Sequence, residues 1–169
     1  MKSRWGRSIG AALAVGRLVL GACNGGQEGN HTLRWDTHNP SATRFTTVFS
    51  GAVLDKNTGL VWEQAPDAIN TIPWDPATFF CVNKNVGGTV GWRLPSVAEL
   101  KSVQDGLPGA VAPFVPAIFT GVQSDEYWSA TTYAGDPTTA WAVSFSTGDV
   151  PATNKALSHR YWAGVCAVA

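Results

Sequence analysis

From residue 49 onward, the spacing of apolar and polar positions sorts the chain into elements. FSGAVLDKNTGLVWEQ (49–64) has two short apolar arms, GAVL and LVWE, around DKNTG. Asn57 and Gly59 can take the left-handed conformations that a tight turn needs, so the segment predicts a β-hairpin. PWDPATFFCVNKNVGG (73–88) predicts a short helix. Asp75 supplies a capping carboxylate, and Pro76 suits the first helical position, where its missing N–H costs nothing. Phe80 and Cys81 should face the core, and Gly87 and Gly88 end the segment. In SVAELKSVQDG (96–106), Ser96 and Glu99 have the spacing of a reciprocal cap. Val97, Leu100 and Val103 recur along one face up to Gly106, which predicts a second helix of about three turns. LPGAVAPFVPAIFTGVQ (107–123) is apolar but too rich in proline for a central strand. After it, a period of two predicts strands in YWSATTY (127–133), AWAVSF (140–145) and RYWAGVCAV (160–168). GDPTT, STGD and the mixed stretch PATNKALSH separate them. In AWAVSF, Trp141, Val143 and Phe145 would be buried and Ala142, Ser144 and Ser146 wet. Hairpin, two short helices, long loop and antiparallel strands make an α+β fold with long loops.

Within GWRLPSVAEL (91–100), Trp92 and Leu94 should point to the core, and Pro95 forces an extended approach to the helix. Arg93 should then hold its loop through charge-assisted bonds to a nearby carboxylate or to main-chain carbonyls. Trp128 and Trp141 are read as structural, with a ligand contact as the alternative for Trp141, and Trp162 is read as a contact with a core place as the alternative.

The first residues follow a different rule. MKSRWGR is basic, IGAALAVG is apolar, and LVLGAC ends at Cys23, the layout of a secretory signal. Leu20-Gly21-Ala22-Cys23 has the form of a bacterial lipobox, so residues 1–22 are expected to be a lipoprotein signal and Cys23 the lipidated residue, although Arg17 interrupts the apolar core. An uncleaved anchor or a misplaced start is the alternative. Asn24, with no Asp at that position, fits delivery to the outer membrane and cell surface. Residues 23–43 read as a flexible tether reaching on average ~25 Å, and residues 44–169 as the folded domain. The chain has 12 basic and 12 acidic residues; losing Lys2, Arg4, Arg7 and Arg17 leaves eight basic residues and a net charge of −4. No basic cluster stands out, which argues against nucleic acid as a partner. If Cys23 carries lipid, Cys81 and Cys166 are left to pair as a disulfide in an exported protein.

Motifs for chemistry are sparse. His31 and His38 lack the neighbours of a metal site, and no metal or cofactor is expected. His159 is the domain's one histidine and has no nucleophile elbow beside it. Asp125-Glu126 is read as a solvated pair next to a turn. The chain is therefore not read as an enzyme.

LDKNTGLVWEQ, a cysteine-bearing helix, GWRLPSVAEL, YWSATTYAG, AWAVSFSTGDV and YWAGVC occur in that order over roughly residues 44–168. In this the chain resembles the Lcl C-terminal-like domain family, a bacterial domain named for a collagen-like adhesin. That family is similar to the C-type lectin fold, and WRLP is shared with formylglycine-generating enzymes. The resemblance implies a C-type-lectin-like fold, pairing of N- and C-terminal strands, a loop-rich binding face, and a homo-oligomer as one possible assembly. The closing strand reads AGVCAVA, without the arginines of many members, and collagen-like repeats are absent, so polyanion binding does not carry over. Members of this fold also serve as the variable proteins of diversity-generating retroelements. On that pattern, and as exposed contacts, the residues expected to meet a protein or glycan ligand are Tyr133, Asp136, Thr138, Ala142, Ser144, Ser146, Thr147, Asp149, Thr153, Asn154, Ala156, Leu157, His159, Arg160 and Trp162. Two readings stand beside this one: a structural envelope lipoprotein, and a relative of the formylglycine-generating enzymes.

Overall fold

The computed structural model describes residues 41–104 and 111–166, without the side chains of residues 41, 42, 165 and 166. The signal, Cys23, most of the tether, His31, His38 and Gly106 lie outside the described residues. So does the Cys166 side chain needed for the expected disulfide; Cys81 is buried and has no disulfide partner among the described residues. No described helix is long and apolar enough to cross a membrane.

A helical turn, α1 (Ser41–Arg44), leads into β1 (Phe45–Phe49), β2 (Ala52–Asp55) and β3 (Leu60–Glu63). The predicted hairpin is β2–β3, with Leu60 opposite Asp55 across the 56–59 turn. The Asp55 carboxylate closes the turn by accepting from Asn57 N–H (3.0 Å) and Thr58 Oγ1 (2.7 Å). It is fully buried and held on its other side by Arg44 (2.8 and 2.6 Å). Strand β1 was not predicted, because FTTVF is too short to show a period of its own.

Helix α2 spans Trp74–Val82 and α3 spans Val97–Ser102. Asp75 does not cap α2. The N-cap is Pro73, in extended geometry with no side-chain cap, and Asp75 lies in the first turn, where the positive end of the helix dipole favours it. The helix stops at Val82; residues 86–89 form a separate tight turn, with Gly87 and Gly88 at positive φ and Val86 bridging Thr89. Ala77 and Cys81, one helical turn apart, form its buried face, so Phe80 stays exposed, contrary to expectation. The α3 cap is as expected: Ser96 Oγ accepts from Glu99 N–H while the Glu99 carboxylate accepts from Ser96 N–H. Three turns were expected; the described helix is shorter, with Val103 as its C-cap.

Strands β4 (Glu126–Thr132), β5 (Thr139–Ser144) and β6 (Ala152–Asn154) form a three-stranded antiparallel sheet in that order. The expected final strand is broken. His159 bridges Ile72, Arg160 runs parallel to Tyr127, and only Gly164–Cys166 (β7) forms a strand. β7 pairs with β3 and completes a four-stranded sheet ordered β1-β2-β3-β7, so the C-terminal strand does return to the N-terminal sheet, beside its third strand.

Both sheets send alternate residues to two apolar clusters. Leu60, Trp62, Tyr127, Val143, Phe145 and Trp162 meet Leu100 and Val103 near α3. Val61, Trp128, Ala140, Ala142, Tyr161 and Ala163 meet Ala77 and Cys81 of α2, with Trp92 and Leu94. The segment 161–163 thus stitches the two clusters together.

Candidate ligand-binding surface

The first test of the expected ligand residues is exposure. Trp162 fails it: it is fully buried, 5.5 Å from Trp62 and 5.1 Å from Phe119 by ring centroid, and its Nε1 donates to Glu63 O at 2.7 Å. Ala142 and Ser144 are buried too. The predicted wet face of β5 is covered because β5 is the central strand, with one cluster on each side. The small side chain of Ala142 suits a position packed among the rings of the α2 cluster.

The remaining positions separate to the two ends of β5, ~17 Å apart for five strand steps. At the Ser144 end, Ser146, Thr147 and Asp149 are exposed. Their turn is tied inward: Ser144 Oγ contacts Ser146 Oγ (2.9 Å) and accepts from Thr147 N–H (3.2 Å) and Oγ1 (3.0 Å). Lys101 Nζ bonds Gly148 O, and Gln104 Nε2 donates to Ser144 O at 2.7 Å, so the end of α3 bolts this turn down.

At the Thr139 end lie Tyr133, Asp136 and Thr138, facing β6 and its following turn. Thr139 pairs with Asn154, and Lys155 N–H donates to Thr138 O at 2.9 Å. Asp136 is occupied by its own turn. It accepts from Thr138 N–H (2.9 Å), Thr138 Oγ1 (2.7 Å) and Thr139 Oγ1 (3.1 Å). The Thr138 donors hold its carboxyl below the usual aspartate range. Asn154 likewise closes a turn, accepting from Ala156 N–H at 2.9 Å. Lys155 clamps the region, with Nζ 4.2 Å from the Trp74 ring centroid and bonded to Thr132 Oγ1 (3.0 Å) and Pro137 O (2.9 Å). Thr153 is half-buried.

Tyr133, Ala156 and Leu157 are therefore the exposed members of this end whose side chains close no turn. Tyr133 is 39% and Leu157 55% exposed. Tyr133 stands edge-on to Trp141, with centroids 5.2 Å apart and planes at 89°. Trp141 is half-buried and borders this surface as well as supporting it.

His159 and Arg160 are anchors. Arg160 Nε donates to Asp125 Oδ2 at 3.0 Å, and His159 Nδ1 lies 3.3 Å from Glu126 Oε2. The Asp125-Glu126 pair, expected to be solvated, thus fastens the C-terminal segment to the start of β4. Nothing local in the sequence signals this, since the partners lie more than thirty residues away. His159 also packs edge-on against Trp128, at 4.6 Å and 90°. Burial pushes its pKa below the usual histidine value, against the pull of Glu126 and Asp125. Trp92 and Trp128 are buried, Ser96 and Glu99 form the α3 cap, Arg93 pairs with Glu99, and Trp128 Nε1 donates to Ile72 O at 2.9 Å.

Among the described residues, no group of three or more His, Cys, Asp or Glu side chains could hold a metal ion. Cys81 is buried, and burial pushes its thiol up to about 12, far from a nucleophile's range. The model of the Lcl C-terminal domain family matches residues 51–164, from just after β1 to the first residue of β7. A comparison with curated proteins finds no match.

Proposed function

Because the chain belongs to the Lcl C-terminal domain family, we propose that it is a recognition module without chemistry of its own. It binds a protein or glycan ligand through the Thr139 end of the three-stranded sheet. The observation that carries this reading is the Tyr133–Trp141 pair: an exposed ring braced edge-on by a half-buried one, on a surface whose polar groups are already spent on turns. Rigid aromatic anchors on pre-formed turns are what recognition surfaces use, because little side-chain freedom is lost on binding. The finer assignment to the C-type-lectin-like fold belongs to the same proposal. Its support is the two small antiparallel sheets, the two short helices and the return of the C-terminal strand to the N-terminal sheet. In this reading Cys23 carries lipid and the domain is displayed at the outer membrane surface.

Diversification by a retroelement fits part of the C-terminal region. Burial of Ala142, Ser144 and Trp162, the turn bonds of Asp136, Thr138, Ser146, Thr147 and Asn154, and the contacts of His159 and Arg160 with Glu126 and Asp125 leave Tyr133, Asp149, Thr153, Ala156 and Leu157 as the positions free to change. This idea expects a reverse-transcriptase gene nearby and a copy of the gene's 3′ end that differs only at adenines. A neighbourhood lacking both would rule it out.

The structural-lipoprotein reading draws on the same turn bonds, which satisfy much of the surface polarity internally. The two part in one experiment. The full chain is screened on glycan and protein microarrays beside Tyr133→Ala. Recognition predicts a bound feature that the variant binds at least about tenfold more weakly, a change of ~1.4 kcal/mol. A structural role predicts no selective feature.

A further inference from the structure

Gly135 sits in the turn that carries Tyr133, closed by Asp136 N–H donating to Tyr133 O at 3.2 Å. Glycine usually marks such a place because φ is positive. Here it does not: among the described residues the positive-φ glycines are Gly51, Gly59, Gly87, Gly88, Gly91, Gly121 and Gly148, and Gly135 is not one of them. Its φ therefore raises no left-handed barrier to an alanine. What excludes a side chain is space. A Cβ at this position would lie 2.8 Å from Tyr133 Cε1, 3.1 Å from Cζ and 3.2 Å from the hydroxyl oxygen. The ring therefore folds back over its own turn into the place a Cβ would occupy, and it also stands edge-on to the Trp141 indole, 5.2 Å away between centroids.

We infer that Gly135 is a positioning residue for recognition: its missing side chain is what lets Tyr133 lie between its own turn and Trp141 in one fixed orientation. The inference rests on Tyr133 being a recognition group. The atoms that would meet a Cβ are the far end of a partly exposed side chain, so a new Cβ is relieved by rotation of the ring rather than by movement of the main chain. The fold then survives, but the ring loses its brace and its pre-set direction, and each binding event has to pay the ordering entropy again.

The test uses the full chain carrying Gly135→Ala, Tyr133→Ala, or both. Nuclear Overhauser contacts between the Tyr133 ring and the Trp141 indole, together with melting temperature, are read without any ligand. The inference expects the ring contacts to vanish in Gly135→Ala while its melting temperature stays within about 2 °C of the parent, the scale of a few tenths of a kcal/mol. In the Tyr133→Ala background, Gly135→Ala should leave melting unchanged. If Gly135→Ala alone fails to fold but the double variant folds, the clash with the ring is still demonstrated. Persistence of the ring contacts, or an equal loss of stability in both backgrounds, overturns the inference, since the crowding would then be with the main chain. A glycan-array feature bound by the parent should be lost from Gly135→Ala as from Tyr133→Ala. If the parent binds no feature, the recognition reading fails while the ring contacts still decide the positioning.

Discussion

Arg93 shows how much one side chain can be asked to hold. Its guanidinium donates to both Glu99 oxygens (2.8 and 2.7 Å) and to Leu94 O (3.2 Å), while its main chain exchanges two 3.0 Å bonds with Gly164. Glu99 also accepts from Ser96 N–H at 2.7 Å, so one carboxylate serves both the α3 cap and the arginine. Burial alone would raise the Glu99 pKa, but the hydrogen bonds from Arg93 and Ser96 outweigh it and hold the group below its usual 4.5. We predict that Arg93→Ala costs about 1–2 kcal/mol, because the pair is only partly shielded from solvent. Thermal melting should fall by several degrees, with ligand binding at Tyr133 intact. The capping spacing, and an arginine that needs a carboxylate or main-chain carbonyls, were legible in the sequence. That one glutamate meets both needs was not, because a single-sequence reading assigns each residue one role. For Trp162 the sequence left contact and core both open: an aromatic two residues after Arg160 near the C-terminus suits either, and the packing of Trp62, Phe119, Tyr127 and Phe145 around it makes it core.

Among elements, those with local signals were legible and those defined by distant partners were not. The β2–β3 turn and the α3 cap follow from residues within a few positions of one another. The covering of β5 on both faces depends on α2 and α3, dozens of residues away, so strict alternation misassigned Ala142 and Ser144. Residues 159–162 form the extreme case, an anchor tied to β4 by Arg160–Asp125 and His159–Glu126. This anchor should sense pH. Burial lowers the His159 pKa below its reference of 6.5, so the unfolded chain takes up a proton near 6.5 that the folded chain takes up only at lower pH. The contribution is complete above pH 6.5 and is lost as pH falls through the lower folded value. Melting measured at pH 7.5 and 5.5 should show a drop that His159→Gln lessens. An unchanged drop in the variant would assign the pH sensitivity to the carboxylates instead.

At the scale of the whole domain, two apolar clusters on either side of the sheets make a stiff support, and the short β6 with its flanking turns is held at one end of it by Lys155 and the Trp74 ring. Most of the sequence that identifies the family, TGLVW, GWRLPSVAEL and YWSATT, builds this support. The candidate surface adds little to that signature: one exposed tyrosine, one leucine and turns made of common polar residues. That is why the family was legible and the ligand was not. The central claim is that recognition and stability are separable here, with Tyr133 on the recognition side. The most direct measurement compares the parent chain with Tyr133→Ala for affinity to the same array-identified ligand and for melting temperature. The account predicts an affinity loss of at least about tenfold with melting within about 2 °C of the parent. Unchanged affinity, or a loss of binding matched by a loss of stability, would contradict it.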